Sequence, residues 1–284
     1  MDYDDYIANL LAESRFGKGD RLGTANLIDT AARQRAVQSV RTGECLSLAR
    51  PLVDVPMAGE GHVFSLEVFR NEGPIGFATD RVELRCHGLV NTHLDALNHI
   101  EVNGGFYGGF PMGDQRLSSM ADLAGHGLVT RGVVVDVPAA RGQQWVTVEE
   151  PVGGGDINRA LGSTVFEPGD ALLLYMGRDR FEAAGSPGPA EHRPGVGRTG
   201  AEWIADHGVS MVCWDFLDAT DASEPPLCVH RLIPAIGLLL VDNCDLAGAA
   251  AAARESGEKT GELVVAPIGI PGGTGCNVTP LLLV

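Results

Sequence analysis

The chain of 284 residues has little positive charge: 21 Lys and Arg stand against 37 Asp and Glu, a formal net charge of −16. Nucleic acid and anionic membrane surfaces both demand basic patches, so neither is expected as a partner. No apolar run approaches the roughly 20 residues that a membrane-spanning helix needs. The stretch IGLLLV is strand-sized. The N-terminus MDYDDYIANL is acidic and lacks the basic-then-apolar order of a secretory leader, which points to a cytoplasmic protein. Cys45, Cys86, Cys213, Cys228, Cys244 and Cys276 are scattered, with no CxxC. That spacing disfavours a zinc knuckle and a dense disulfide framework, and reduced thiols are expected. The sequence also lacks a GxSxG nucleophile elbow, a Walker A loop and a GxGxxG dinucleotide fingerprint.

What is present is enough for a substantial core, at 44% hydrophobic residues. Leu27, Ala31, Ala32, Ala36 and Val40 recur at helical spacing within 24–42, with Asp29 or Thr30 as cap. Strands are expected at 46–52, 63–69, 81–90, 128–137, 171–177, 209–216, 238–242, 264–270 and 278–284. A helix with Thr199 near its N-cap and Gly208 near its C-cap follows a loop at 185–200, and HRLIPAIG reads as a helix ending at Gly237. Residues 249–262 read as a second loop. Strands outnumber helices, and helix–strand alternation appears in the second half. The reading is α/β, one domain spanning 1–284.

The segment CHGLVNTHLDALNH, 86–99, carries the densest chemistry. In a strand His93 and Asp95 project from one face, because side chains alternate with a period of two. A neutral nitrogen beside an anionic oxygen suits a divalent metal such as zinc or manganese. His99 returns to the same place if the chain turns, as a ligand or a proton carrier. His87 would lie ~20 Å from His93 along a straight strand. It reaches the site only if residues 88–91 fold back. The bland alternative is a buried polar cluster or a surface loop.

Farther on, His230 and Asp242 are twelve residues apart. Asp242 emerges from the apolar run LLLV, where a bare carboxylate is costly without a cation or donors. Asn243 beside it is placed to donate to a substrate or to Asp242. Trp214 reads as pocket lining, and Asp215 or Asp218 as a partner that orients a ligating histidine. Phe106 and Tyr107, in GGFYGGF, form either an aromatic wall or part of a glycine-rich turn. GGTG, 272–275, offers backbone N–H groups or a fixed loop near the site. His62, His126, His192 and His207 have no partners at metal spacing and read as solvated or capping residues.

THLDALNH resembles the core motif of the metal-dependent cyclase/formamidase superfamily, which includes kynurenine formamidase and isatin hydrolase. The pattern there is His-x-x-x-His-x-Asp-x-x-x-His. The second His, the Asp and the third His match His93, Asp95 and His99, and Leu89 stands at the first. A His followed twelve residues later by Glu matches His230 and Asp242, with a carboxylate one methylene shorter. FGKGDRLGTANLI, GGFYGGF, FEPGDALLLYMG and APIGIPGGTGCNVTP resemble further blocks in the same order. The resemblance implies a swivelling β/β/α architecture with mixed sheets and flanking helices. It implies a hydrolase of a small amide, N-formyl, lactam or lactone substrate through metal-activated water. One divalent metal, zinc or manganese, would be held by His93, Asp95, His230 and Asp242, with a second metal left open by Leu89. His99 would carry the proton; His87, Phe106, Tyr107 and Asn243 would face the substrate, and the assembly would be a homodimer or homotetramer. Two alternatives stand beside it: a metal-dependent cyclase, lyase or isomerase on a polyketide-like or aromatic substrate, and a metal-free ligand-binding relative.

Overall fold

Strands buried on both faces read as continuous apolar runs, and four such runs form the middle of the molecule. The computed structural model describes residues 2–17, 19–55, 62–185 and 193–284. Its strands are β1 (Cys45–Ser47), β2 (Phe64–Asn71), β3 (Phe77–Leu84), β4 (His93–Asp95), β5 (Leu128–Asp136), β6 (Ala171–Tyr175), β7 (Met211–Trp214), β8 (Leu239–Asp242), β9 (Thr260–Val265), β10 (Gly275–Asn277) and β11 (Leu281–Leu283). Its helices are α1 (Tyr3–Glu13), α2 (Thr30–Gln38), α3 (Met120–His126), α4 (Val137–Arg141), α5 (Gly154–Leu161), α6 (Arg178–Ala183), α7 (Arg198–Asp206), α8 (Leu232–Ile236) and α9 (Ala247–Ser256). Nine strands form one mixed sheet in the order β1-β11-β9-β5-β6-β7-β8-β4-β10. β5 through β8 run parallel, joined by crossovers that carry helices. β4 is antiparallel to β8, and β10 is antiparallel to β4. This is the expected α/β class: a large curled mixed sheet with flanking helices.

The sheet order does the positioning. Register places His93 opposite Asp242 and Asp95 opposite Gly275. Side chains at the ends of β7, β8 and β4 therefore meet, although β4 lies more than a hundred residues before the other two in the chain.

Local expectations hold where periodicity is strong. Asp29 caps α2, accepting the Ala32 N–H at 2.8 Å. α8 ends at Gly237 with φ +71°, and Pro234 lies early in this short helix, where its missing N–H costs little. Other expectations need correction. The helix expected over 24–42 splits into a 3-10 turn, Gly23–Leu27, and α2. Residues 249–262 are no loop but most of α9 followed by the start of β9: a run of alanines has high helix propensity, and Gly257 at φ +76° stops it. The strand expected at 264–270 ends at Val265. Residues 186–192, with His192, lie outside the described residues. α7 is capped at Gly197 rather than Thr199, with the Glu224 carboxylate accepting the Arg198 N–H at 2.6 Å. β2 and β3 pair as a hairpin whose Leu66, Val68, Val82 and Leu84 share an exposed apolar face. No helix among the described residues is long and apolar enough to cross a membrane.

One close approach locks the N-terminal segment to the end of α8. Thr24 donates its N–H to the Gly237 carbonyl at 2.8 Å and its hydroxyl to Ser210 O at 2.7 Å. A Cβ on Gly237 would lie 2.4 Å from Gly23 Cα, and both glycines have positive φ. Gly237→Ala should therefore lower stability by about 2–4 kcal/mol, combining a left-handed backbone penalty with overpacking. A urea midpoint unchanged from wild type would show that the contact is slack.

Candidate metal centre

The period of β4 puts His93 and Asp95 on one face, as alternation requires. His93 Nδ1–H donates to Asn91 O at 2.9 Å, which leaves the Nε2 lone pair facing inward. It lies 3.5 Å from Asp95 Oδ1 and 3.8 Å from Asp242 Oδ2. Asp242 ends β8, and its Oδ1 accepts the Trp214 indole N–H at 2.5 Å. His230 precedes α8. Its Nδ1–H donates to the Asp218 carboxylate, which also accepts the Val229 N–H at 2.6 Å. His230 Nε2 therefore points inward, 3.3 Å from Asp242 Oδ2 and 3.7 Å from Asp95 Oδ2.

Two more imidazoles complete the ring. A tight turn after Asp95, in which His99 N–H donates to Ala96 O at 3.0 Å, returns His99 Nε2 to 3.9 Å from Asp95 Oδ2. Upstream, Gly88 takes φ +142° and the chain folds back, so His87 Nδ1 lies 3.0 Å from Asp95 Oδ1. That fold-back is held from a distance. Asn243 donates to Gly88 O at 2.9 Å and Asn91 O at 3.2 Å, and accepts Arg178 Nη1–H at 2.8 Å. Arg178 also donates to Leu89 O at 2.7 Å.

The expected ligands His93, Asp95, His230 and Asp242 thus come together, with His99 and His87 beside them. Three residues expected to face a substrate are engaged elsewhere in the fold. The Asn243 amide is fully buried and committed to the fold-back. Phe106 is buried, and the Tyr107 hydroxyl donates to Asp20 Oδ2 at 2.8 Å. These two rings line a separate groove of about 490 Å³ with Leu11, Arg15 and Pro234, and none of the centre's residues lines it. The glycine-rich run around them turns the chain away from the imidazoles. Among the described residues Asp215 accepts from no histidine. Its carboxylate accepts the N–H groups of Met176, Gly177 and Arg178 at 2.9–3.0 Å and pins the turn after β6. Asp218 is the orienting partner. Two contributors were not legible in the sequence: the Asn91 carbonyl, and Thr274, whose hydroxyl lies 3.0 Å from His87 Nε2. Neither has a periodic signal, because both act through sheet register and loop closure.

Asp95 is 1% exposed, yet its Oδ2 has no hydrogen-bond partner. Burial pushes its carboxyl up, but the His87 hydrogen bond and the charges of His93, His99 and His230 hold it well below the usual range. Burial pulls His230 down, while Asp218 and Asp242 outweigh it and hold that imidazole well above its ordinary value. His99 is lowered, chiefly by burial, and by the neighbouring imidazoles against the pull of Asp95. Two groups have ligand atoms within 4.8 Å of one another: His93, Asp95 and Asp242; and His87, Asp95 and His99. An unpartnered buried carboxylate oxygen facing imidazole lone pairs fits a divalent cation.

A family model described as "Putative cyclase" matches residues 28–221. No curated protein matches the chain. Among solved structures, one described as a novel cyclase is 22% identical and superposes with a TM-score of 0.84, covering 95% of this chain and 96% of that one. Isatin hydrolase A from Labrenzia aggregata, bound to benzyl benzoate, is 14% identical with a TM-score of 0.59, covering 88% and 95%. A potential metal-dependent hydrolase with cyclase activity is 16% identical with a TM-score of 0.50, covering 84% and 98%. At these identities the likeness carries the fold.

The geometry has a titration consequence. In the metal-free chain, burial works to lower His87, but the Asp95 hydrogen bond and charge prevail and lift it from 6.5 to about 10. A raised folded-state value stabilises the protein fully below 6.5, and that contribution is lost as pH climbs to about 10. By imidazole NMR, His87 should titrate near 10 in chelated wild type. In Asp95→Asn the carboxylate's pull is gone, and the His87 value should fall from that of wild type. A His87 that titrates alike in both proteins contradicts the contact.

Proposed function

The chain belongs to the putative cyclase family, and from that premise and the centre's geometry we propose that it is a metal-dependent hydrolase of a small amide, N-formyl, lactam or lactone substrate. The observation that carries this reading is Asp95: a buried carboxylate, unpartnered at one oxygen, faced by four imidazoles at 3.0–3.9 Å. His93 Nε2, His230 Nε2 and the carboxylates of Asp95 and Asp242 would hold the ion. Mixed nitrogen and oxygen donors accept zinc or manganese alike. When bound, such an ion supplies Lewis acidity toward a substrate carbonyl and toward water.

The protein's own part is orientation, exclusion of water and proton handling. Asn91 O and Asp218 hold the two inner imidazoles with Nε2 turned inward, and the Trp214 indole fixes Asp242. The His93 and His230 side chains are 2% and 7% exposed, whereas His87 and His99 are 26% and 24% exposed. Substrate therefore approaches past the outer pair. There His99 Nε2 is the base that takes a proton from the attacking water and returns it to the leaving nitrogen or oxygen. That the fold neighbours include an isatin hydrolase supports a hydrolytic reading, and the lactam and N-formyl classes are drawn from it as substrates to test.

Protein purified without chelator or nickel should contain at least one zinc or manganese per chain, and His93→Ala should lose it. Wild type should hydrolyse a member of a panel of N-formyl anilines, lactams and lactones. His99→Gln should keep the metal while kcat falls by about 10²–10⁴. Asp218→Asn should weaken metal affinity by about 10–100-fold. Wild type that takes up neither metal when both are added contradicts the proposal.

A further inference from the structure

Away from the metal centre, the groove of about 490 Å³ between α1, the run 102–109 and α8 has the size of a small-molecule site. Leu11, Phe106, Pro234 and Ile236 give it an apolar floor. Among the described residues no acidic side chain lines it, in a chain whose formal net charge is −16. Its single charged side chain there is Arg15. Elsewhere Arg21, Arg50, Arg141 and Arg231 pair with carboxylates at 2.5–2.7 Å. Arg15 has no carboxylate partner among the described residues. Its Cζ lies 5.5 Å from the Phe16 ring centroid, a contact that braces the guanidinium and leaves its N–H donors unspent. The polar rim is also held in costly backbone. Ser14 ends α1 at φ +46° and Asn103 turns the loop at φ +53°. Both line the groove, and both are non-glycine residues in the left-handed region, where strain accompanies ligand clamps.

We propose that this groove binds a small monocarboxylate with an aryl or alkyl body, its carboxylate on the Arg15 guanidinium and its apolar body over Phe106 and Ile236. An occupant that covers Arg15 withdraws it from water. A buried guanidinium without a counter-charge is costly, so the occupant has to bring an anion. A planar carboxylate matches the paired N–H donors of a guanidinium. The apolar floor supplies the remaining affinity and disfavours a fully hydrated anion. The site stands independently of the hydrolase reading, since none of the centre's residues lines the groove.

The test is a titration of the full-length protein with 3-phenylpropionate, followed by ¹⁵N amide shifts and the Arg15 Nε–H resonance. It is run on protein as purified and again after chelation, because a bound ion would itself attract a carboxylate. In both, shifts should fall on Asn103 to Gly109 and on Arg15, and spare His87 and His99. The isosteric 3-phenylpropionamide should bind about tenfold more weakly, the loss expected for a charge-assisted hydrogen bond. Arg15→Gln should weaken the acid about tenfold and leave the amide unchanged, which separates loss of the cation from loss of the fold. Ala12→Trp fills the groove from an exposed position on α1 and should block both probes at an unchanged melting temperature. Shifts confined to the metal centre overturn the proposal. So does equal affinity for acid and amide, an Arg15→Gln variant that binds the acid like wild type, or no shift at millimolar probe.

Discussion

A carboxylate taken out of water must be neutralised, hydrogen-bonded or matched with a cation, and Asp95 is taken almost entirely out of water. One of its oxygens has an imidazole at hydrogen-bonding distance and the other has none. Much of the surrounding structure follows from that charge. Two inner histidines are turned by a carbonyl and a carboxylate so that their free nitrogens face it. Asp242 stands beside it with its outer oxygen already spent on an indole. Two carboxylates this near each other repel in an apolar interior unless positive charge lies between them. In the metal-free chain the His87 and His230 imidazoles, both held above their ordinary value, supply that charge, and a bound divalent ion would supply it in their place.

The sheet makes this concentration of charge affordable in stability terms. The parallel core from β5 to β8 is largely apolar and ends beside the centre. The antiparallel strands β4 and β10 then extend it, so that the ligands sit at strand ends rather than inside a strand's packed length. The link from His230 to Asp242 shows the economy of the arrangement. A short helix leads away and an apolar strand leads back, so twelve residues of chain leave the centre and return to it. Gly237, at the turn between them, is pressed against Gly23, which ties the N-terminal segment to the same unit.

The legible part of the site was the part governed by local periodicity. Alternation alone places His93 beside Asp95, and an apolar run ending in Asp242 marks a buried strand end. The central strands were visible for the same reason. What was not legible depends on partners distant in the chain. His87 enters the centre because Asn243, about 150 residues away, pulls down the carbonyls of Gly88 and Asn91. The same contact commits the Asn243 amide to the fold-back. Phe106 and Tyr107 lie close to the motif in sequence, yet the turn after His99 carries them to another groove. The alanine run after Leu246 reads as a loop but packs as a helix, because burial of Ala249 and Ala250 against the sheet decides what composition leaves open.

The central claim is that Asp95 is buried in order to bind a divalent ion. Anomalous diffraction at the zinc or manganese edge, from crystals of protein loaded with one equivalent, tests it most directly. The account predicts a peak at bonding distance, about 2.0–2.2 Å, from an Asp95 oxygen and from His93 Nε2, with His230 and Asp242 completing the shell. A peak bound elsewhere on the chain, or none within reach of Asp95 in a fully loaded crystal, would contradict it.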